Sequence, residues 1–426
     1  MTGRFQVTSN RARFQYGFGS ALIRSSSSIP SRLRIVVGSK RAVSSDKGHS
    51  PLLESDGEVW FHCALMFAGD GHIGPFESLI IPRSAPVTAM SKYDLLKEAF
   101  LGNLGEQIPI SLWKHHPEID RTPEGLAKAE IDFHRLLDHD LLKISFFGHF
   151  PCIDFGCTAV YDGAITGSTT LTSAAINDVS DWETLEPLDV NSGELGLQIR
   201  AVEIIQKYAH GVVPTMATVF DPVMVADKIS DKNFNKYADE HPEVLRGALD
   251  IITDVMIDFA HATLDAGADG IFLASQHSTQ SSVTDKQYKE FVYPYDLKMI
   301  SRLRGKTSFL VLHLHAREEN EEIRFDKVAR TPGVDGINWE DQSSALSLRE
   351  GKKRFKGAVL GGIDYNGTFR TESPDEAKKQ VVEAIQKAGP DRLIVAPGCV
   401  ITMDTPQENI VAVRDAVRSI DPYDYE

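Results

Sequence analysis

The sequence predicts an α/β fold, a closed (β/α)8 or TIM barrel, from two observations. Eight apolar segments of strand length recur between residues 108 and 401, and helical patterns or helix-start signals follow them. Polar side chains of the kinds used in catalysis stand at the ends of these segments. A count of eight is typical of a closed parallel barrel, whose active sites lie at the carboxyl ends of the strands. An open sheet of eight strands is the alternative.

Helix-start signals organise the first half of this pattern. Ser91 stands at the N-cap of an amphipathic helix, and Thr122 with Pro123 forms an N-cap followed by proline at the first helical position. Apolar runs between the helices favour strands. The predicted elements are, in order, helix 91–104, strand 108–115, helix 122–139, strand 141–147, a long excursion that contains 163–170, helix 193–210, strand 212–220 and helix 242–266.

The second half alternates more tightly than the first. Thr284 caps a helix that ends near Leu303, and three further helices start near Ser343, Pro374 and Pro406. A short helix is predicted at 321–329. The five strands predicted in this half are 267–275, 308–316, 335–341, 358–364 and 393–401.

Composition and charge narrow the class of protein. The chain has 426 residues, of which 42% are hydrophobic and 25% charged, and its net charge is −15. Such an acidic chain is expected to bind neither nucleic acid nor an anionic membrane surface. No run of 18 apolar residues is present, so no transmembrane helix is predicted. Four cysteines in a chain of this length do not make a disulfide framework, which indicates a reducing compartment.

The first 89 residues differ from the rest and form a separate predicted region, with the barrel at 90–426. Residues 1–45 contain seven Arg, one Lys, many Ser and no acid, which is the composition of an organellar transit peptide. A disordered extension is the alternative, with Met90 as another possible start. We therefore expect the protein in the cytoplasm or, if residues 1–45 act as a transit peptide, in the mitochondrial matrix.

Two imidazoles at the end of the strand 308–316 are the strongest site signal. Side chains two residues apart on a strand point to the same side, so His313 and His315 can converge on one metal ion. Cys399 ends another apolar run and is a third candidate ligand. The alternative is that each is a strand-end side chain bonded to its neighbours.

Other candidate site residues also stand near predicted strand ends. Some polar residues there are expected as helix caps, as for Asp341 and Ser343, but the density of His and carboxylates at one end exceeds that expectation. The candidates for catalysis are Gln276, His277, Glu340 and Asp364, and those for substrate binding are Trp113, His115, His149 and Thr218.

From about Met90 to its end, the chain resembles the uroporphyrinogen decarboxylase superfamily. The resemblance rests on motifs that stand in the order of the family. They are S-L-W-K-H-H at 111–116, D-W-E-T-L-E-P-L-D at 181–189, G-A-D-G-I-F at 267–272, T-D-K-Q-Y-K-E-F-V-Y-P-Y at 284–295, G-V-D-G-I-N-W at 333–339, L-G-G-I-D at 360–364 and T-P-Q-E-N-I at 405–410.

Residues typical of true porphyrinogen decarboxylases are replaced in this chain. Where that branch has Arg residues early in the barrel to hold substrate carboxylates, residues 113–116 read W-K-H-H. Where it has an Asp after strand two, residues 146–149 read F-F-G-H, and the Tyr expected soon after strand three is not present in V-F-D-P-V-M-V-A-D at 219–227. The family's G-H-G is here G-C-V at 398–400. These departures count against uroporphyrinogen decarboxylation.

The methyltransferase-like branch of the family is the nearer match. Its members also have a Cys in place of that last His, and they bind zinc through His-x-Cys on strand five and the distant Cys on strand eight. The resemblance therefore implies a zinc site at His313, His315 and Cys399, with His replacing the first Cys and Glu340 as a second-shell or fourth ligand. Zinc in this branch binds a thiol substrate as thiolate, whose sulfur attacks a methyl group.

Three functions stay open from the sequence. The first is metal-assisted methyl or one-carbon transfer involving a small molecule, for which a corrinoid methyl donor and a corrinoid protein partner are candidates. The second is a metal-free decarboxylase acting on a carboxylated substrate such as a porphyrinogen, and the third is a non-enzymatic binding protein. A homodimer is possible in each case.

Overall fold

The computed structural model describes residues 90–316 and 318–425, and before them only the backbone of six strands. Contacts between residues divide the chain into two units, Met1–Ala89 and Met90–Glu426. In the described part of the chain, no helix is both long enough and apolar enough to cross a membrane.

The first unit contains two antiparallel sheets of three strands each. The proposed transit peptide falls mostly on residues outside the described part, so that expectation stays a prediction. The strands are β1 (Phe5–Thr8), β2 (Arg11–Tyr16), β3 (Gly19–Arg24), β4 (Leu33–Val37), β5 (Phe61–Phe67) and β6 (Ser78–Ile81).

The second unit is built around a parallel sheet of seven strands whose neighbours follow each other along the chain. The residues of these strands are buried on both faces, as expected for parallel strands covered by helices. Their apolar runs therefore lack the alternation of a half-exposed strand. The strands are β7 (Leu142–Ile144), β10 (Thr215–Phe220), β11 (Gly270–Ser275), β12 (Phe309–Leu314), β13 (Gly336–Trp339), β14 (Ala358–Ile363) and β15 (Leu393–Pro397).

The segment 109–114 closes this sheet into a barrel. Isolated parallel bridges join Ile110 to Val395 and Lys114 to Ile401, and the amide of Asp140, just before β7, donates to the carbonyl of Ile110 at 2.7 Å. The prediction of a regular first strand at 108–115 was wrong, in part because Pro109 has no N–H for a ladder. The prediction of a closed barrel is confirmed, and the open-sheet alternative is excluded.

Fifteen α-helices in the described part accompany the strands. They are α1 (Lys92–Leu101), α2 (Pro123–Leu137), α3 (Phe150–Asp154), α4 (Val179–Glu183), α5 (Gly193–Ala209), α6 (Pro222–Ile229), α7 (Phe234–Glu240), α8 (Pro242–Asp265), α9 (Asp285–Gln287), α10 (Tyr293–Leu303), α11 (Phe325–Ala329), α12 (Leu348–Arg354), α13 (Thr368–Thr371), α14 (Pro374–Ala388) and α15 (Gln407–Ser419).

Several predicted boundaries need correction. The helix at Ser91 ends at Leu101, because Gly102 takes the left-handed conformation and closes it. The helix expected near Ser343 begins only at Leu348, because the Trp339 indole donates to the carbonyl of Leu346 at 2.7 Å and holds the intervening residues in turns.

Two regions contain elements that the sequence did not predict. The long excursion contains the antiparallel hairpin of β8 (Thr158–Val160) and β9 (Thr170–Ser173). The helix predicted from Thr284 to Leu303 is interrupted by a π-helical turn at Tyr288–Val292.

Candidate metal centre

Four side chains converge at the carboxyl end of the barrel. One ligand atom from each of His313, His315, Glu340 and Cys399 lies within 4.8 Å of the others, and no other such group occurs among the described residues. His313 is on β12 and His315 just beyond it, on the same side, as the period of two predicted. Glu340 follows β13 directly. Cys399 lies two residues after β15, so its expected place on strand eight was wrong, although it does reach the two histidines.

Gly398 allows the chain to bring Cys399 into the cluster. A Cβ at this position would lie 2.8 Å from the Cα of Glu340 and 3.1 Å from the carbonyl oxygen of Trp339. Real Cβ atoms essentially never approach another atom as closely as the shorter of these distances, so a larger residue would push the two segments apart. Glycine at 398 is therefore a requirement of the close packing between the cysteine and the glutamate.

His315 and Glu340 form a buried pair. The Nδ1 atom of His315 lies 2.5 Å from Oε1 of Glu340, and the other carboxylate oxygen accepts the amide of Ala316 at 2.7 Å. Burial lowers the pKa of His315, but the charges and hydrogen bonds of Glu340 and Cys399 together outweigh burial and raise the pKa well above its usual value. Burial raises the pKa of Glu340, but the charge and hydrogen bond of His315, with the charge of His313 and the amide of Ala316, together bring it below the usual value. Each partner therefore holds the other in its charged form.

Cys399 is poised to be a thiolate. Burial raises the pKa of its thiol, but hydrogen bonds from His313 and His315 outweigh burial and bring the pKa to about 6. The thiolate is the form of cysteine that binds metals and acts as a nucleophile. In the metal-free protein at neutral pH, the cluster thus presents an imidazolium at His315, a thiolate at Cys399 and a carboxylate at Glu340.

His313 is held by Asn338, a residue that the sequence analysis did not select. Its Nδ1 atom lies 2.7 Å from Oδ1 of Asn338. The Asn interrupts an otherwise apolar strand in G-V-D-G-I-N-W, and this was the signal that could have identified it.

An aromatic floor lies beside the cluster inside the barrel. The Phe272 ring stacks on His313 with centroids 5.4 Å apart and meets Trp113 edge-on at 5.6 Å. The ammonium of Lys143 lies 4.7 Å from the centre of the Phe272 ring. Burial lowers the pKa of Lys143 to about 8, while the charges of Glu130 and Cys399 act in the opposite direction. Lys143 was missed because K in L-L-K-I-S-F-F looks like an ordinary strand residue.

The other substrate-binding candidates occupy the half of the barrel that precedes β12. Thr218 is buried on β10, and its hydroxyl donates to the carbonyl of Ile144 at 2.7 Å. The Nδ1 atom of His149 lies 2.8 Å from the hydroxyl oxygen of Thr169. Burial lowers the pKa of His115 and of His149 to about 3, so both imidazoles are neutral at physiological pH.

The remaining catalytic candidates are not brought to the metal cluster. His277 is buried against Phe234, with Nε2 3.5 Å from a carboxylate oxygen of Asp227. Gln276 precedes it and is partly exposed. The carboxylate of Asp364 accepts backbone N–H groups of Gly367 and Thr368 at 3.1 and 3.0 Å, which is a turn-closing arrangement.

The donor set of the cluster fits zinc. Imidazole and thiolate are its common protein ligands, and three protein ligands leave a fourth position for substrate. Glu340 is already bonded to His315 and to a backbone amide, an arrangement typical of a carboxylate that orients a metal-bound histidine. His313, His315 and Cys399 are therefore the better three ligands.

Comparisons with known proteins identify the family of this chain. The uroporphyrinogen decarboxylase (URO-D) family model matches residues 106–420. The chain is 22% identical over 311 residues to methylcobamide:CoM methyltransferase MtbA of Methanosarcina acetivorans, covering 71% of this chain and 86% of that protein. It is 25% identical over 305 residues to MtaA of Methanosarcina barkeri, covering 70% and 86%.

Two further comparisons concern a decarboxylase and a solved structure. Uroporphyrinogen decarboxylase 2 of Oryza sativa subsp. japonica is 25% identical over 260 residues, covering 58% of this chain and 62% of that protein. A solved methyltransferase from Methanosarcina mazei superposes with a TM-score of 0.67 at 22% identity, covering 77% of this chain and 98% of the other, and shows the same fold.

Proposed function

This chain belongs to the uroporphyrinogen decarboxylase (URO-D) family, and from that premise we propose that it is a methyltransferase that moves a methyl group from a corrinoid donor to a small thiol. The observation that carries the proposal is the cluster of His313, His315 and Cys399 at the barrel mouth. The similarity to two methylcobamide:CoM methyltransferases over most of their length supports the same reading.

The three ligands would hold zinc through Nε2 of each histidine and Sγ of the cysteine. Bound there, zinc would supply a Lewis acid that lowers the pKa of a thiol substrate and keeps it as thiolate. In the overall reaction, the thiolate sulfur forms a bond to the methyl carbon. The carbon–cobalt bond breaks, and its electron pair stays on the corrinoid donor.

The chain's own residues would prepare this site. Glu340 accepts the Nδ1 proton of His315 and orients the ring, so that zinc would displace only the Nε2 proton that the raised pKa keeps on the metal-free ring. The rings of Phe272 and Trp113 form an apolar surface beside the cluster. This surface would exclude water and strengthen the electrostatic interactions of the cluster. The lowered pKa of Cys399 means that zinc has little competition from a proton at pH 7.

The substrate would contact the half of the barrel that precedes β12. We propose that Trp113, His115, His149 and Thr218 bind it, and that Gln276, His277 and Asp364 assist from the neighbouring loops. A corrinoid protein as partner, a homodimer, and a cytoplasmic or mitochondrial location stay predictions. Neither the fold nor the comparisons favour the mitochondrial matrix.

A uroporphyrinogen decarboxylase is the second candidate, because relatives with that name also match. The charges near the mouth argue against it. The guanidinium of Arg121 lies over the Phe147 ring at 4.1 Å and 3.7 Å from Glu194, so it is already engaged. The sequence 113–116 also offers no arginine in the segment where true porphyrinogen decarboxylases bind substrate carboxylates.

Two measurements test the proposal. Metal analysis of the purified full-length protein should find about one equivalent of zinc. Incubation with methylcobalamin and a panel of thiols, including coenzyme M, should give a methylated thioether together with the change in the corrinoid absorption spectrum. An active protein free of metal would overturn the zinc assignment, and a zinc protein that methylates no thiol would overturn the reaction.

A further inference from the structure

Asn338 is a buried polar residue in an apolar strand. It is fully buried on β13, between Ile337 and Trp339, whose side chains are also fully buried. A buried amide that lacks hydrogen-bond partners destabilises the folded state. Its hydrogen bonds therefore explain why this polar residue is tolerated in a buried strand.

The two ends of the Asn338 amide are assigned by their partners. The Nδ2 group donates to the backbone carbonyls of Leu360 at 3.0 Å and of Pro397 at 3.1 Å. Carbonyl oxygens only accept, so the NH2 end must face them. The remaining Oδ1 end must face Nδ1 of His313, 2.7 Å away. Because two strands hold the amide, it cannot turn without losing both bonds.

This polarity determines which nitrogen of His313 carries a proton. An amide oxygen accepts only, so Nδ1 of His313 must donate and therefore be protonated. In a neutral ring Nε2 then has the free lone pair, and it lies on the side of the ring away from Asn338. Stacking of the ring on Phe272, with an interplanar angle of 23°, limits rotation of the imidazole.

We propose that Asn338 is a positioning residue that fixes the tautomer and orientation of His313, so that Nε2 is offered to the metal cluster. The identity of the ion rests on the proposed function; the tautomer does not. A neutral amide suits this place, because Glu340 and the thiolate of Cys399 already supply two negative charges. A carboxylate at 338 would add a third buried charge.

The primary test uses the metal-free wild-type protein. Long-range proton–nitrogen NMR spectra of protein labelled with 15N-histidine, with His313 assigned by a His313→Gln variant, should show a protonated Nδ1 in His313. A neutral His313 ring protonated on Nε2 alone would overturn the proposal, whatever the protein does with zinc. A protonated Nδ1 in a protein that binds no zinc would instead overturn the proposed function and leave the role of Asn338 intact.

Two substitutions of Asn338 separate orientation from folding. Asn338→Leu removes the acceptor, so His313 should populate both tautomers, and zinc affinity from chelator competition should fall by about 10–100-fold. Asn338→Asp keeps an acceptor but loses both donors and adds a buried charge, so the melting temperature should fall while Nδ1 of His313 stays protonated and zinc affinity falls less than in Asn338→Leu. Equal loss of affinity in both variants would overturn the proposal.

Asn409→Leu is the matched control. Asn409 is fully buried and also donates to two backbone carbonyls, those of Phe369 at 3.0 Å and Glu372 at 2.8 Å, but no histidine contacts it. Its replacement should lower the melting temperature without changing the tautomer of His313 or zinc affinity. A change in either readout as large as in Asn338→Leu would mean that general loosening, not orientation, explains the effect.

Discussion

The two halves of the barrel mouth satisfy their polar groups differently. In the half from β12 to β15, both oxygens of Glu340 and the Nδ1 atoms of His313 and His315 have hydrogen-bond partners. In the half from segment 109–114 to β11, several buried polar atoms have none. These are Nδ1 of His115, Nε2 of His116, both carboxylate oxygens of Asp120, one of Asp221 and Nδ1 of His277.

The difference separates two tasks. Buried polar groups left unpaired cost free energy, so a chain retains them where they serve a purpose. The β12–β15 half is held in place by the protein's own hydrogen bonds, which suits the proposed metal site. The other half keeps hydrogen-bonding capacity, which suits the proposed substrate-binding surface.

Cys399→Ser should cause the largest change. A serine hydroxyl is a poor replacement for the thiolate, so zinc affinity should fall by more than the 10–100-fold typical of indirect partners. The melting temperature should change by only a few degrees, since an ion at the barrel mouth adds little to a core of this size. Chelator competition and thermal unfolding measure the two effects. If no metal co-purifies and Cys399→Ser leaves activity unchanged, the cysteine is a buried small side chain and the contrast disappears.

Uroporphyrinogen should not be converted at a useful rate. The net charge is −15 overall and +4 for residues 1–89, which leaves −19 on the barrel. This charge repels a substrate rich in carboxylates unless arginines bind it locally. A direct decarboxylation assay with product analysis checks this. Clear stepwise loss of carboxylates would mean that the half from segment 109–114 to β11 binds a porphyrinogen.

Asp120→Asn should remove a pH dependence of stability. Burial raises the pKa of Asp120 from 3.8 to about 7. The folded protein thus binds a proton that the unfolded chain releases, and the free energy of unfolding falls as pH rises from 5 towards 7. Linkage gives a loss of about 2 kcal/mol over this range. Urea unfolding of wild type and variant at pH 5 and pH 8 measures it. If wild type and variant lose the same free energy of unfolding between pH 5 and pH 8, Asp120 is not held protonated.

Deletion of residues 1–89 should have the smallest effect. Both halves of the mouth belong to the unit Met90–Glu426, and the family match begins at residue 106. The truncated protein should fold, with a melting temperature within a few degrees of the full chain. Insolubility, or a melting temperature lower by several degrees, would show that residues 1–89 pack on the barrel.

Local patterns predicted the barrel and part of the site. Alternating strands and helices gave the fold, and the two-residue spacing of His313 and His315 gave the shared face. The irregular segment 109–114 could not be predicted, because its bridges depend on β15, far away in the chain. Asn338 and Lys143 were missed for a similar reason. Their roles depend on which side of a wholly buried strand faces the barrel interior, and a continuous apolar run does not reveal this.

The isolated bridges that close the barrel have a dynamic consequence. The seam between segment 109–114 and β15 is held by single bridges, at Ile110 with Val395 and at Lys114 with Ile401, whereas β11 and β12 pair along six residues. Local opening follows the weakest ladder. Amide hydrogen exchange should therefore be faster at Ser111 and Ile401 than along β12. Cys399 lies between the two bridges of this seam and the two histidines do not, so we expect the amide of Cys399 to exchange faster than those of His313 and His315.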